Sequence, residues 1–333
     1  MVLRLGIDLM GGDHSPESVL KAIIAILKQH NDLLSEYECL LVPIISECVE
    51  SSLKRVCIEE NVCWEYLNPI ITENFVEMED SPLLVLRRKK NSTMAKGICL
   101  LRDGFLDGLV STGNTGALFA FACHHLSLMQ FIERPALLVR LPTLKSSVIV
   151  LDVGANVSVK PKDLLMFAQM GKAYKLCLDS SEIPKLGLLN IGREEKKGTE
   201  SHRQTFSLLQ ENFGDNFFGN IESGDVFRGK VDVVVTDGFT GNIFLKTAEG
   251  VADCFSEIFF QKEQNFISPN HHNKVSKSLD LSIYQGSFLC GLSKLVVKCH
   301  GFSDHNALIN GILNTINLAS QNICSKMESY LKI

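Results

Sequence analysis

The chain has 333 residues, of which 45% are hydrophobic, and this is enough to bury one large α/β core or roughly two domains without disulfide or metal support. Its formal net charge of −5 argues against a general nucleic-acid binder, so a bound anion must be met by local charge. Eleven cysteines without C-x-x-C spacing, together with the lack of a signal peptide and of a long apolar run, predict a cytoplasmic protein with reduced thiols and no transmembrane helix.

The first predicted strand, residues 3–9, runs into the glycine turn M-G-G-D-H-S-P, which opens a helix over residues 17–29. Asp8, Asp13 and His14 therefore lie at the carboxyl end of a strand, where open α/β sheets bind ligands. The structural alternatives are that Asp13 caps the helix and that His14 is an exposed turn residue.

Further short strands are predicted at residues 40–45 and 62–67, on either side of a helix at about residues 46–60, which gives a βαβ order. A helix then begins at Pro82 and carries four adjacent cations, residues 87–90. Adjacent cations spread around a helix, so a solvated basic end is one interpretation and attraction of an acidic partner or phosphate is the other.

Three small-residue loops follow predicted strands, the first after residues 106–110, the second after the strand pair 136–141 and 148–151, and the third after residues 231–235. The T-G-N triplet occurs in two of them, which suggests two amide-rich walls facing one crevice, the second at a helix N-terminus suited to anions. The alternative is that Asn242 only caps that helix and that Lys246 is solvated. The candidates in these loops are Gly113, Asn114, Thr115, Asn156, Gly238, Thr240, Gly241, Asn242 and Lys246.

A fourth loop differs in kind, because the strand predicted at residues 186–191 ends in the charged sequence E-E-K-K-G. If this strand is central, its loop delivers Lys196 or Lys197 into the crevice. A salt-bridged surface turn is the alternative.

The segment 251–282 predicts a helical tip for contact with a dimer partner or a membrane surface, with core packing as the alternative for its aromatic residues. Its histidines lack carboxylate or cysteine partners, so no metal site is expected. The chain closes with a strand at residues 294–299, a turn that holds His300, and a helix at about residues 303–329.

The motifs of several enzyme classes are absent from the sequence. A dinucleotide fingerprint does not follow the first strand, and no Walker A sequence, serine elbow or loop cysteine is present. What remains is a crevice of backbone amides, asparagines and a few lysines, which can bind a phosphate and stabilise an oxyanion.

In order along the chain, G-I-D-L-M-G-G-D-H-S-P, S-T-G-N-T-G-A-L, L-D-V-G-A-N-V, G-L-L-N-I-G-R-E-E-K-K-G and V-V-V-T-D-G-F-T-G-N resemble the bacterial phosphate acyltransferase (PlsX) family. The resemblance implies a Rossmann-like doubly wound α/β/α sandwich, related to phosphotransacetylases and isocitrate-dehydrogenase-like proteins, as one catalytic domain over residues 1–333. It implies conversion of acyl-(acyl carrier protein) and inorganic phosphate to acyl phosphate, without a cofactor, at the entry to phosphatidic acid synthesis. It further implies a homodimer, peripheral membrane association and a downstream glycerol-3-phosphate acyltransferase.

The resemblance also assigns roles to individual residues. Lys197 matches the second lysine of E-E-K-K-G and would orient phosphate or neutralise developing charge, and Asn242 matches D-G-F-T-G-N and would donate to the thioester oxyanion. The phosphate or substrate contacts expected beside them are Asp13, His14, Gly113, Asn114, Thr115, Asn156, Lys196, Gly238, Thr240, Gly241, Lys246 and His300.

Two departures from the family pattern and two other functions bear on this hypothesis. The chain has Q-G-S-F-L-C-G and C-H-G-F-S where the family reads G-G-A-P-L-L-G and A-H-G-S-S, so Phe302 replaces a small residue.

A phosphotransacetylase acting on acyl-coenzyme A would need the same phosphate and oxyanion groups. A non-enzymatic regulator that binds an acyl ligand or its carrier would tolerate loss of Lys197 and Asn242, and both are present.

Overall fold

The computed structural model describes residues 2–262, 286–299 and 305–331, so residues 263–282 of the predicted tip, His300 and Phe302 lie outside it. In chain order the strands are β1 (Leu3–Asp8), β2 (Cys39–Ser46), β3 (Ile70–Thr72), β4 (Gly108–Ser111), β5 (Ala136–Pro142), β6 (Ser147–Leu151), β7 (Leu186–Leu189), β8 (Phe217–Ile221), β9 (Val233–Val235), β10 (Ser287–Cys290) and β11 (Leu295–Lys298). The helices are α1 (Pro16–Gln29), α2 (Asn31–Glu36), α3 (Glu50–Glu59), α4 (Trp64–Leu67), α5 (Pro82–Arg88), α6 (Thr93–Arg102), α7 (Thr115–His125), α8 (Pro161–Leu178), α9 (Glu200–Phe213), α10 (Ser223–Phe227), α11 (Gly238–Lys262), α12 (His305–Ser320) and α13 (Ile323–Tyr330), with 3₁₀ turns at Glu47–Val49 and Gly214–Asn216.

The described chain divides into two compact units, and the first contains residues 2–135, 286–299 and 305–326. Its strands are ordered β3-β2-β1-β4-β11-β10, and all neighbours are parallel except β10 and β11. Two groups of helices pack on this sheet. In one group α1 contacts α3 and α12, and in the other α7 contacts α5 and α6. This parallel arrangement brings the carboxyl ends of β1, β4 and β11 side by side.

The second unit contains residues 136–262 and 327–331, with the strand order β5-β6-β9-β7-β8. Only β5 and β6 are antiparallel, while β6, β9, β7 and β8 are parallel neighbours. All residues of β6 and β9 are buried, as their unbroken apolar sequences predict for central strands. Helix α8 packs on β6 and β9, and α9 packs on β8. The mixed α/β class predicted from the sequence is confirmed, whereas a single catalytic domain over residues 1–333 stays a prediction.

Local sequence explains where the helices next to the predicted loops begin. The Ser15 hydroxyl caps α1 by accepting the Ser18 amide, and proline occupies the first turn. The Thr199 hydroxyl caps α9 in the same way through the His202 amide. These caps fix the points at which the loops pass into helices.

The strand predicted at residues 62–67 is wrong. This segment contains the short helix α4, which Asn68 ends in a left-handed conformation with φ of 43°. The β-branched residues that follow form β3 and pair with the end of β2. A short apolar run does not distinguish the two conformations by periodicity, and pairing with β2 favoured the later, β-branched segment.

The C-terminal helix predicted at residues 303–329 is two helices, α12 and α13, separated by Asn322 with φ of 50°. A left-handed residue interrupts the helical hydrogen bonds and changes the direction of the chain. Within residues 2–262, 286–299 and 305–331, no helix is long and apolar enough to cross a membrane.

Candidate active site

In the second unit, the carboxylate of Asp152 organises the loop after β6. One oxygen accepts the amides of Leu137, Gly154 and Ala155 at 2.9, 3.2 and 2.9 Å. The other accepts the Asn156 amide at 2.7 Å and its side-chain Nδ2 at 2.8 Å. Asp152 is fully buried, and burial raises its pKa against these hydrogen bonds. The expectation that the amides of this loop are open to a ligand is therefore wrong for three of them, because Asp152 already occupies them.

Helix α11 begins at Gly238, and Asp237 is its cap. The Asp237 carboxylate accepts the Thr240 amide and hydroxyl, both at 2.8 Å. The Gly238 amide donates to the Asn156 carbonyl at 2.8 Å, and a Cβ on Gly238 or Gly241 would overlap backbone of the Asp152 loop. The two glycines thus allow the start of the helix to lie directly on the loop after β6. The idea that Asn242 is the cap is wrong, because the helix starts at Gly238, five residues earlier than that role requires.

Asn242 is exposed in the second turn of α11 and lies over Gly154, where its Oδ1 would be 3.6 Å from a Cβ. No hydrogen bond joins its side chain to the described part of the chain. Lys246, one turn further on, is ion-paired with Glu249 at 3.2 Å. Of these two predicted site residues, Asn242 is the one whose polar group is available to a substrate.

The charged loop after β7 is held rigid from beneath by two asparagines. The Asn190 side chain donates to the Lys197 carbonyl at 3.1 Å and to the Asn220 side chain at 3.1 Å. Asn220 is buried and donates to the Glu194 carbonyl at 2.8 Å. The stem of Lys197 packs over Gly192, where a Cβ would lie 3.2 Å from its Cγ. The backbone under Lys197 is thus fixed, although its side chain is exposed.

His202 connects this loop to the start of α11. Its ring is half-buried, and its Nδ1 lies 2.7 Å from the Thr199 hydroxyl. Burial lowers the pKa of His202, while the nearby Asp237 carboxylate opposes that shift. Lys196 and Lys197 are both exposed and form no ion pair within the described residues. The structure thus brings the lysine loop and the Asp237 loop into one neighbourhood within the second unit.

In the first unit, Asp8 is the last residue of β1 and is fully buried. Its carboxylate accepts the Ser111 hydroxyl at 2.9 Å and the Met10 amide at 3.2 Å, and Ser111 in turn accepts the Gly113 amide at 3.2 Å. Burial raises the pKa of Asp8 to about 6, against hydrogen bonds from Ser111 and Met10 and the charge of Lys298. Ser111 was not singled out from the sequence. A hydroxyl at the end of a buried strand is nevertheless a signal that the side chain bonds the loop that follows, as Ser111 does with the Gly113 amide.

Asn114 caps α7, accepting the Ala117 amide at 2.9 Å. Its Nδ2 donates to the carbonyls of Met78 and Asp80 at 2.7 and 3.1 Å. Both polar atoms of this buried side chain are therefore used inside the protein. Thr115, the first residue of the helix, is half-buried.

The loop after β1 places Asp13 and His14 differently. Asp13 is exposed, whereas His14 is half-buried, and its Nε2 is shielded from water without a hydrogen-bond partner among the described residues. Gly113 has no room for a side chain, because a Cβ would lie 2.9 Å from the Met94 methyl group and 3.2 Å from the Met10 carbonyl oxygen. His14 thus has a shielded polar atom without a hydrogen bond in the described chain, while Gly113 lets the two loops approach.

The start of α5 lies beside the Asn114 loop, since Pro82 contacts Gly116 in the first turn of α7. Asp80, which accepts a hydrogen bond from Asn114, connects this loop to Lys89 after the end of α5. Lys89 is bonded to Asp80 at 2.6 Å, and this carboxylate raises the pKa of the lysine. The other three cations, Arg87, Arg88 and Lys90, are exposed. In the described part of the chain, no group of three or more histidine, cysteine, aspartate or glutamate side chains could hold a metal ion.

Solved structures identify the class of fold. The EutD phosphotransacetylase from Staphylococcus aureus superposes with a TM-score of 0.58 at 16% identity, covering 96% of this chain and 94% of its own. A phosphotransacetylase from Streptococcus pyogenes gives 0.60 at 15% identity, covering 97% and 94%. The chain therefore has the fold of the phosphotransacetylases, which confirms the predicted fold class.

Sequence relatives identify the family. A profile described as "Fatty acid synthesis protein" matches residues 3–326. The phosphate acyltransferase of Chlamydia pneumoniae is 48% identical over 331 residues, covering 99% of this chain and 100% of the relative, and that of Chlamydia caviae is 47% identical with the same coverage. The chain belongs to this family of fatty acid synthesis proteins and is an acyltransferase, as the sequence motifs predicted.

Proposed function

We propose that the protein transfers the acyl group of an acyl-(acyl carrier protein) thioester to inorganic phosphate, releasing acyl phosphate and the free carrier. The proposal is carried by the 48% identity to a phosphate acyltransferase over nearly the whole chain, combined with the exposed side chains of Lys197 and Asn242. The other polar groups of the Asp152 and Asp237 loops are largely bonded within the protein. Lys197 and Asn242, by contrast, present an ammonium and an amide to solvent. These groups suit the attack of anionic phosphate on a thioester whose carbonyl oxygen becomes an oxyanion.

The chemistry needs little acid or base. A phosphate oxygen attacks the thioester carbon, the C–S bond of the resulting tetrahedral oxyanion breaks, and the sulfur leaves as the carrier thiolate. Phosphate is already partly dianionic near neutral pH, and a thiol with a pKa of about 8.5 leaves without a strong acid. Positioning and electrostatic stabilisation can therefore supply most of the catalysis.

In this proposal Lys197 orients phosphate or neutralises the charge that develops on it, and Asn242 donates to the oxyanion. The Asn190 and Asn220 braces support the first role, because they fix the backbone that carries the lysine. The position of Asn242 over Gly154 supports the second, because a glycine there leaves space beside the amide group. His14 is a further phosphate contact, since its Nε2 lacks a partner among the described residues.

Release of free thiol from palmitoyl-(acyl carrier protein), with and without phosphate, tests the reaction. We expect phosphate-dependent release by the wild type and a loss of about 10²-fold or more in Lys197→Ala, because a charge that stabilises the transition state is removed. Lys185→Ala is the matched control, since Lys185 is exposed at the opposite end of the same strand, β7. Release only from palmitoyl-coenzyme A would instead support a phosphotransacetylase, the activity named for the fold neighbours. Release from neither would favour a binding protein.

The exposed cations of α5 predict how the carrier is recognised. Arg87→Glu and Arg88→Glu together are expected to raise the KM for the acidic carrier substrate about tenfold at low salt, because two attractive charges become repulsive. Phosphate-dependent thiol release from palmitoyl-coenzyme A should change less. Arg55→Glu combined with Lys185→Glu is the control for total charge, because both cations are exposed and the pair changes the net charge by the same amount. An unchanged KM for the carrier would show that the carrier binds elsewhere.

We also propose a homodimer that associates peripherally with the membrane and supplies acyl phosphate to a glycerol-3-phosphate acyltransferase. An exposed apolar row on α11, with Phe239, Ile243, Val251 and Phe255 each about half-exposed, supports the dimer. Sedimentation equilibrium tests the dimer, and Ile243→Glu should shift it to monomer.

Flotation with liposomes of anionic and neutral phospholipids tests membrane association, which is contradicted if no protein reaches the lipid fraction.

A further inference from the structure

Three neighbouring parallel strands of the first unit end in a row of polar residues. Asp8, Ser111 and Lys298 are the last residues of β1, β4 and β11, and Ser111 is paired in register with Asp8 on one side and Lys298 on the other. Asp8 and Ser111 are fully buried, and Lys298 is 6% exposed. Charged residues are rarely so buried, and Asp8 and Lys298 both lie where a strand passes into a loop.

Lys298 is used entirely inside the protein. Its Nζ donates to the Thr112 carbonyl at 3.2 Å and to the Cys299 carbonyl, and its charge acts on Asp8. It thereby contacts the first residue after β4 and the first residue after its own strand. Nothing in the sequence distinguishes this lysine, because it ends an apolar strand as many solvated lysines do.

Each member of the row holds the backbone of a loop. Asp8 accepts the Met10 amide, Ser111 accepts the Gly113 amide, and Lys298 donates to the carbonyl between Ser111 and Gly113. The Ser111 hydroxyl donates to Asp8 and so joins the first two members. A buried charged network of this kind permits one arrangement of its hydrogen bonds, and the loops follow that arrangement.

We propose that Asp8, Ser111 and Lys298 form a positioning row that sets the loops at residues 10–14 and 112–115 for phosphate binding. The proposal rests on the proposed function, in which His14 contacts phosphate, and on the family motifs, which assign both loops to the phosphate or substrate site. The members of the row lie beneath the loops and do not contact substrate themselves. Loss of one member should therefore weaken phosphate binding more than it slows the reaction of bound phosphate.

The experiment compares Lys298→Met with Lys294→Met. Lys298 is the last residue of β11, whereas Lys294 precedes the first residue of this strand and lies at the end away from the row. We expect Lys298→Met to raise the KM for phosphate about tenfold or more, with a smaller change in kcat, because the charge-assisted hydrogen bond that orders the Thr112 loop is lost. Hydrogen exchange of the unliganded protein should accelerate in peptides covering residues 8–14 and 111–118. Lys294→Met should change neither quantity.

Ser111→Ala keeps the test decisive if Lys298→Met does not fold, because it removes only one hydroxyl from the row. Faster exchange in the same two peptides, with the remaining peptides unchanged, is the expected result. Wild-type exchange in both peptides of either folded variant, or an unchanged KM for phosphate in Lys298→Met, would overturn the proposal. If the wild type shows no phosphate-dependent thiol release, the proposed function fails, whereas the exchange measurement still decides whether the row positions the loops.

Discussion

Asn242→Ala should lower kcat for phosphate-dependent thiol release by about 10²–10³-fold, the usual cost of removing one oxyanion donor. The side chain is exposed and forms no hydrogen bond within the described chain, so its removal should leave the urea unfolding midpoint unchanged. The KM for phosphate should change little, because an oxyanion donor acts on charge that develops only in the transition state. The measurement is steady-state kinetics with palmitoyl-(acyl carrier protein), combined with urea unfolding.

Thr247→Ala is the matched control for this variant. Thr247 is exposed on the same helix, little more than a turn after Asn242. Its replacement by alanine should leave kcat, KM and the unfolding midpoint as in the wild type. Near-normal turnover by Asn242→Ala would remove the oxyanion role, and a parallel loss in Thr247→Ala would indicate a general effect on α11.

Much of the sheet could be predicted from the sequence because its central strands are unbroken apolar runs. Residues 231–235 predicted a strand buried on both faces, and β9 is such a strand. The strand β8 was not predicted, because its sequence F-F-G-N-I contains a glycine and alternates poorly. The order in which the strands pair depends on contacts between distant segments, and no local pattern carries that information.

The loops were located correctly, but their internal bonding was not. Small residues after a strand predicted open backbone amides, yet Asp152 and Asp237 each turn a carboxylate toward the amides that follow. An aspartate at the head of a glycine-rich turn is itself the signal, because its side chain competes with any anionic ligand for these donors. With these amides already bonded, the polar groups left for a substrate include the exposed side chains of Asn242 and Lys197.

The row formed by Asp8, Ser111 and Lys298 shows why part of the candidate site was missed. The three residues are far apart in sequence and become neighbours only through the parallel registers of β1, β4 and β11. Each is a polar residue at the end of a largely apolar strand, which is common for a single strand. Their burial, which distinguishes them from solvated strand ends, follows from packing of the whole unit.

The largest effect on stability is expected from Asp152→Ala. The substitution leaves the amides of Leu137, Gly154, Ala155 and Asn156 without the carboxylate that satisfies them in a buried site. Each unsatisfied buried donor costs about 1–3 kcal/mol, and partial access of water to the loop limits the sum. We therefore expect the free energy of unfolding to fall by about 3–5 kcal/mol, measured by urea unfolding. Asp237→Ala, which removes a helix cap, should cost only about 1 kcal/mol.

Asp152→Asn should not restore this stability, although it conserves the shape of the side chain. One oxygen of Asp152 accepts two N–H groups of Asn156, and the other accepts the amides of Leu137, Gly154 and Ala155. An asparagine replaces one of these oxygens by an NH₂ group, so in either orientation of the amide a donor faces two or three donors. A variant with an unfolding midpoint near that of the wild type would show that the loop rearranges. In that case the contact of Asn242 with Gly154 would change as well, and the rate of thiol release would fall while stability is kept.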